Sequence, residues 1–349
     1  MSGKRTPTLV DVAREAGVSP ATASRVLNGS ARAVGEPHRG RVTDAAARLG
    51  YVANTSAQEL ARGGSDFVAL ILTDLTDPQE TAIAAGVVEE ADRRGLFVTV
   101  SVTNGRPGRE LELLHALRAQ RPAAVVLAGH RATDVGAGGT TDALTDIRAG
   151  GGGVAIVGDS ALPFDRVVPQ NYEGARDLAV RLGGLGYESA AVLAGPSDDI
   201  AARDRTRGFV DGCAAAGVRI GAGGVVHGEL SRAGGHAAAL HLLALDGPRA
   251  DVVLAVADTT ALGAMVAIRD SGLAVPDDVS LAGFDDIDAL RDVSPGLTTV
   301  RLPLRELGVT AVRVALSAPS AAPAARYVGA RPVLRDSTPA RRHQLVPLD

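Results

Sequence analysis

The side chains best placed for chemistry fall into two groups, and neither is a catalytic set. In the first, Arg25 follows Pro20 and Ala21 by five and four residues. In a helix the spacing of four puts Ala21 and Arg25 on one face, with Pro20 next to Ala21 in the chain. A guanidinium fork can bond a guanine edge in bidentate fashion, worth about 1–3 kcal/mol of base discrimination. Pro20 and Ala21 offer only apolar contact, for example to a thymine methyl. Ser19, Thr22 and Asn28 suit phosphate oxygens, which position a protein on DNA without specifying sequence. The second group is a set of acids closing apolar runs: Asp74 and Asp77 after FVALILT, Asp159 at the end of GVAIVGD, and Asp258 after VVLAVA. Carboxylates so placed can accept hydrogen bonds from ligand hydroxyls.

The first group needs helices, and the sequence supplies three. Thr8 can cap a first helix, with Asp11 at the reciprocal capping position. Leu9, Val12, Ala13 and Ala16 then form one apolar stripe, and Gly17 is placed to stop the helix. Ser19 caps a second helix and Pro20 takes its first position. Ala23, Val26 and Leu27 form its buried face, and Asn28-Gly29 ends it. Two helices this short cannot bury enough to fold alone. A third, with Pro37 near its start, Val42, Ala45, Ala46 and Leu49 on its stripe and Gly50 at its end, completes a helix-turn-helix unit.

The second group needs a parallel-sheet body. FVALILT, LFVTVSV, AAVVLAG and GVAIVGD are apolar runs of strand length, separated by helical patterns near 79–94, 108–119 and 141–149. The alternation then restarts: helix 171–183, strand 190–194, helix 200–216, strand 223–227, helix 231–245, strand 251–256, helix 259–271, strand 279–284. The expectation is an α/β body of two similar doubly wound lobes with a cleft between them.

The 349 residues are 46% hydrophobic, with a net charge of −4, so a sizeable core is available and no basic excess marks the whole chain. Residues 1–63, however, carry nine Lys/Arg against five Asp/Glu, or +4, which leaves −8 for the rest. A basic head on an acidic body fits a DNA reader joined to a part that avoids DNA. No window approaches a membrane span, and the N-terminus lacks an apolar signal core, so a cytoplasmic protein is expected. The lone Cys213 excludes an internal disulfide and reads as a small core residue. There is no Walker loop, GxSxG elbow or HExxH pair, and His236 and His241, five apart, fall on different helix faces. An enzyme is therefore disfavoured, and no cofactor or metal is expected.

TLVDVAREAGVSPATASRVLNG and LGYVANTSAQELARG resemble, nearly residue by residue, the DNA-binding headpiece of the LacI/GalR (lactose-repressor) family of bacterial transcription regulators. NYEGA (171–175), ARDRTRGF (202–209), ALGAMVAIRDSGLAVPDDVSLAGFDD (261–286), LTTVRLP (297–303) and RPVLRDST (331–338) resemble its effector-binding core, which is related to periplasmic sugar-binding proteins. The resemblance implies a headpiece over 1–52, a hinge over 53–65, a two-lobed core over 66–340 and a tail over 341–349. The chain should cross between lobes near 165, 293 and 325, giving lobes of 66–165 plus 294–325 and 166–293 plus 326–340.

By the same resemblance, the DNA contacts include Thr8, Leu9, Ser19, Pro20, Ala21, Thr22, Ser24, Arg25 and Asn28. Asn54 caps a short hinge helix that also presents Ala57, and Leu60 wedges into the central base step of the operator. Too short to stand alone, that helix should form only on DNA. In the cleft, Arg205 matches the family's arginine and Asp285 its hydroxyl-accepting acid. Asp74, Gln79, Glu80, Asp159 and Asp258 complete the effector candidates, with Phe164 as a stacking face. Gln79 and Glu80 stand where two aromatics are common, Ala257 and Gln170 replace a common Asn and Asp, and Leu302 replaces Gln. The expected protein is a homodimeric regulator of a near-palindromic operator, most simply a repressor, modulated by a small polar effector such as a sugar. An effector-independent regulator of the same fold remains open at this point. A stand-alone sugar-binding protein would need a signal peptide and no headpiece.

Overall fold

The computed structural model describes residues 7–27, 34–51, 65–129, 137–245, 249–318 and 322–341. The chain divides into two units, Met1–Ser65 and Asp66–Asp349.

The first unit contains α1 (Leu9–Ala16), α2 (Pro20–Leu27) and α3 (Glu36–Leu49). Thr8 and Asp11 form the expected capping box: the Thr8 N–H donates to Asp11 Oδ2 at 2.9 Å, and the Asp11 N–H donates to Thr8 Oγ1 at 3.3 Å. Gly17 ends α1 at φ +62°, a left-handed conformation that suits a residue without Cβ. Val12, Ala23, Val42 and Ala45 are fully buried, with Leu9, Val26, Leu27 and Leu49 packed against their cluster. The residues are small, so the core is small, and it closes only because all three helices contribute to it.

The second unit has a first sheet in the order β11-β5-β4-β3-β1-β2 and a second in the order β7-β6-β8-β9. Their strands are β1 (Phe67–Leu72), β2 (Phe97–Val102), β3 (Ala124–Leu127), β4 (Gly153–Val157), β5 (Arg166–Pro169), β6 (Ser189–Ala194), β7 (Arg219–His227), β8 (Val252–Ala255), β9 (Ser280–Ala282) and β11 (Ala325–Val328). All pairings within these two sheets are parallel. α4 (Pro78–Arg93), α5 (Arg109–Gln120) and α6 (Ala137–Ala149) serve the first lobe. α7 (Asn171–Gly184), α8 (Ile200–Ala215), α9 (Arg232–Leu243) and α10 (Asp258–Asp270) serve the second. β10 (Thr299–Arg301) and β12 (Arg331–Val333) form an antiparallel pair.

α11 (Leu304–Ala315), not anticipated from the sequence, packs on α4. The approach is close enough that a Cβ on Gly86 would lie 1.9 Å from the Arg305 carbonyl oxygen, and one on Gly308 2.1 Å from that of Ile83. Only glycine fits at either position.

The lobe crossings fall later than 165, 293 and 325. β5 and β11 are hydrogen-bonded into the first sheet, so the chain leaves that lobe between Pro169 and Asn171. It returns between Arg301 and Leu304 and leaves again between Val328 and Arg331. RVVP and ARYV are too short to announce themselves as strands; their place in the sheet is fixed by partners far away in sequence.

Candidate functional site

The α2 surface carries the first candidate group. Ser19, Pro20, Ala21 and Arg25 are exposed, and Thr22 and Ser24 are half-buried. The Thr22 N–H donates to Ser19 Oγ at 3.1 Å, so Ser19 caps the helix. Pro20, Ala21 and Arg25, all exposed, follow directly from that cap. Thr8 is held by Asp11, and Leu9 is half-buried against the headpiece core. Asn28, Asn54, Ala57 and Leu60 lie outside the described residues.

The second candidate group is only partly assembled. A narrow cleft runs between the lobes, with about 660 Å³ of empty space including its open mouth. The first lobe lines it with Gln79, Glu80 and Asp159, and the second with Asn171, Ile200, Ala201 and Asp204. Asp77 caps α4 by accepting the N–H groups of Gln79 (2.7 Å) and Glu80 (3.2 Å). Glu80 is 2% exposed, and its Oε2 accepts the N–H groups of Thr73 (2.7 Å) and Asp74 (3.1 Å). It therefore fastens the loop after β1 while edging the cleft.

Arg205 and Asp285 meet, as their chemistry suggested, but behind the cleft wall. Each is 3% exposed, and Arg205 Nη2 lies 3.0 Å from Asp285 Oδ1. Arg205 Nε donates to Asn171 Oδ1 at 2.9 Å, and Nη1 donates to the Val256 carbonyl at 2.8 Å. The guanidinium also sits 4.2 Å from the centroid of the Phe284 ring. Asn171, which lines the cleft, thus presents the network to it. The next residue continues the network: Asp286 Oδ1 accepts from Arg335 at 2.6 Å, and its Oδ2 accepts from Arg301. Asp285 and Asp286 have φ of +116° and +60°, left-handed conformations that non-glycine residues hold only when their surroundings enforce them. Burial raises the Asp286 carboxyl, but the two arginines outweigh it and leave it below the usual carboxylate range.

Three candidates sit elsewhere. Asp258 is fully buried at the start of α10, where its Oδ2 accepts the Ile287 N–H at 3.0 Å and its Oδ1 bonds the Thr299 hydroxyl at 2.7 Å. Burial, and then the nearby Asp285 charge, push its carboxyl well up. Phe164 is 1% exposed in the first-lobe core, with the Arg148 guanidinium 5.0 Å from its centroid, so it offers no stacking face. Asp74 is exposed, and its Oδ1 accepts the Thr76 N–H (2.7 Å) and hydroxyl (2.8 Å), closing a turn outside the cleft lining. Cys213 is buried, which raises its thiol to about 11, as for an inert core residue.

Asn171 and Asp204 were not anticipated. Their signal was their place in the NYEGA and ARDRTRGF blocks: Asp204 is one residue before Arg205 and three after Ala201, on the cleft-facing side of α8. Asp204 is half-buried. Burial raises its carboxyl; Arg203 opposes the rise and Asp159 adds to it.

A helix-turn-helix unit joined to a two-lobed α/β core defines a class of DNA-binding regulators. Residues 8–54 match the lacI family of bacterial regulatory proteins, and residues 179–338 match the periplasmic binding protein-like domain. The chain is 31% identical over 312 residues to the transcriptional regulator GalR of Escherichia coli K12, covering 89% of this chain and 88% of that one. It superposes on the lac repressor dimer bound to operator and the anti-inducer ONPF with a TM-score of 0.82 and 29% identity, covering 96% of this chain and 100% of that one. On a CelR–cellobiose complex the TM-score is 0.68 at 28% identity, covering 95% and 99%. The chain belongs to the LacI family of DNA-binding transcriptional regulators. Its relatives are regulators, not enzymes. Among the described residues no helix is long and apolar enough to cross a membrane.

Proposed function

We propose that the chain is a cytoplasmic repressor that reads a near-palindromic operator as a homodimer and answers to a small polar effector, a sugar or sugar derivative, taken into the cleft. The observation that carries this reading is the continuous chain of contacts from the cleft to the crossing strands. Asn171 is bonded to Arg205, Arg205 is paired with Asp285, and Asp286 holds Arg301 beside β10 and Arg335 just past β12. A ligand that changes the angle between the lobes must work against that clamp. The resulting coupling between effector and operator is reciprocal.

Two likenesses support the reading: the lac repressor structure is a dimer on its operator, and the CelR structure holds cellobiose. β2 is an edge strand of the first sheet, and Phe97 on it is 75% exposed, an apolar edge suited to a second copy. Leu60 is the proposed wedge at the operator centre. Leu60→Ala should fold and dimerise normally yet bend the operator less; an unchanged bend in an electrophoretic bending assay would remove the wedge.

Glu80 favours a second reading, regulation without an effector. It stands where family members carry an aromatic, and its carboxylate fastens a loop. One experiment separates the two readings. Sites bound across the source genome are mapped, and operator affinity is measured with and without the metabolites that the neighbouring genes handle. An affinity change with one of them supports the effector reading; none with any supports the second.

A further inference from the structure

We infer that the effector carries a positive charge: the cleft is built for an amine-bearing polar ligand, such as an amino sugar, rather than for a neutral or phosphorylated one. The inference rests on the effector-cleft reading above and adds the ligand's charge class. Glu80 and Asp159 of the first lobe and Asp204 of the second line the cleft, and among the described residues no Lys, Arg or His lines it. Arg205 does not supply the missing cation. It is 3% exposed, and its guanidinium is held by Asn171, the Val256 carbonyl, Asp285 and the Phe284 ring. A phosphate or carboxylate would enter an acidic slot with no donor cation. A neutral sugar would lack the aromatic face on which sugars commonly rest, because among the described residues no aromatic side chain lines the cleft.

The acids are divided between the lobes, which makes charge a closing device. Asp159 is exposed; its Oδ1 accepts the Ser160 N–H at 2.9 Å and lies 3.7 Å from Arg166 Nε. Asp204 faces it from α8, half-buried, flanked by Arg203 and Arg207 and with Glu173 nearby. Bringing these carboxylates together in a narrowing cleft is unfavourable. An ammonium between them reverses the sign and interacts more strongly with the closed state than with the open one. That difference is the requirement for shifting a conformational equilibrium. Among the described residues no group of three or more His, Cys, Asp or Glu side chains converges to hold a metal ion, so the cation is organic.

The test is titration calorimetry of the full chain against matched sugar sets: glucose, glucosamine and glucose 6-phosphate, then the galactose and mannose counterparts. The 2-amino member of at least one set should bind about tenfold or more tighter than its neutral parent, a difference of roughly 1.4 kcal/mol, and the phosphate should bind more weakly than both. Asp204→Asn, close in shape, should bring the amine down to the neutral parent's affinity, and Asp159→Asn should do so in part. Thermal melts of both variants check that they fold. A neutral or phosphorylated member binding as tightly as the amine overturns the charge assignment and leaves the effector reading standing. Amine preference retained in both variants overturns it as well. Binding of no member of any set would count against the effector reading itself.

Discussion

The helix α2, proposed to read DNA, and the cleft treat their polar side chains in opposite ways. On α2, Pro20, Ala21 and Arg25 are exposed and face outward. At the cleft wall and behind it, Asn171, Arg205, Asp285 and Asp258 are all buried and each is bonded to a partner. An exposed reader acts through its own donors, so its removal should cost recognition and little stability. A buried network member acts through its partners, so its removal should cost stability first.

The sharpest way to break that contrast is Arg205→Ala. It strands the Asp285 carboxylate in a buried site, which should cost about 3–5 kcal/mol of core stability. Denaturant melts should show the loss; a variant as stable as wild type would mean that the pair is not the anchor described here. Asp286→Asn comes next. The Asp286 carboxyl is lowered in the folded state, so the stability it contributes is full above the ordinary carboxylate pKa and is lost as pH falls through the lowered one. The variant should be less stable at neutral pH, and the gap to wild type should close in acid. A gap that does not vary with pH would remove the charge clamp between the crossing strands. Asp258→Asn should have the smallest effect. The Asp258 carboxyl is raised, so ionisation costs stability as pH rises, and a neutral amide can keep both bonds, to the Ile287 N–H and the Thr299 oxygen. The melt should move by less than about 1 kcal/mol; a large loss at neutral pH would show the ionised form to be needed.

The same contrast explains what could be read from sequence. The Thr8–Asp11 box, the Gly17 and Gly50 stops and the outward face with Arg25 depend on neighbours within four residues, and the alternation of strands and helices has its own period. Arg205 meets Asn171 and Val256 across 34 and 51 positions, and Asp286 meets Arg335 across 49. The family resemblance marked Arg205 and Asp285, and a place at a strand end marked Asp258, but nothing local separated cleft-lining Asn171 and Asp204 from buried Asp258, or showed Phe164 to be core. β5 and β11 were not anticipated because four residues are too few to stand out as strands, whereas α11 was legible, with Leu304, Leu307, Ala311, Val312 and Ala315 repeating at helical spacing.

The central claim is that this regulator reads its operator through the exposed face of α2, and Arg25→Ala tests it most directly. Fluorescence anisotropy at one fixed salt concentration would compare wild type and variant on a mapped site and on a scrambled duplex of equal composition. The variant should keep weak binding to both duplexes and lose about 1–3 kcal/mol of preference for the mapped site, with its thermal melt unchanged. An affinity ratio equal to that of wild type would contradict it.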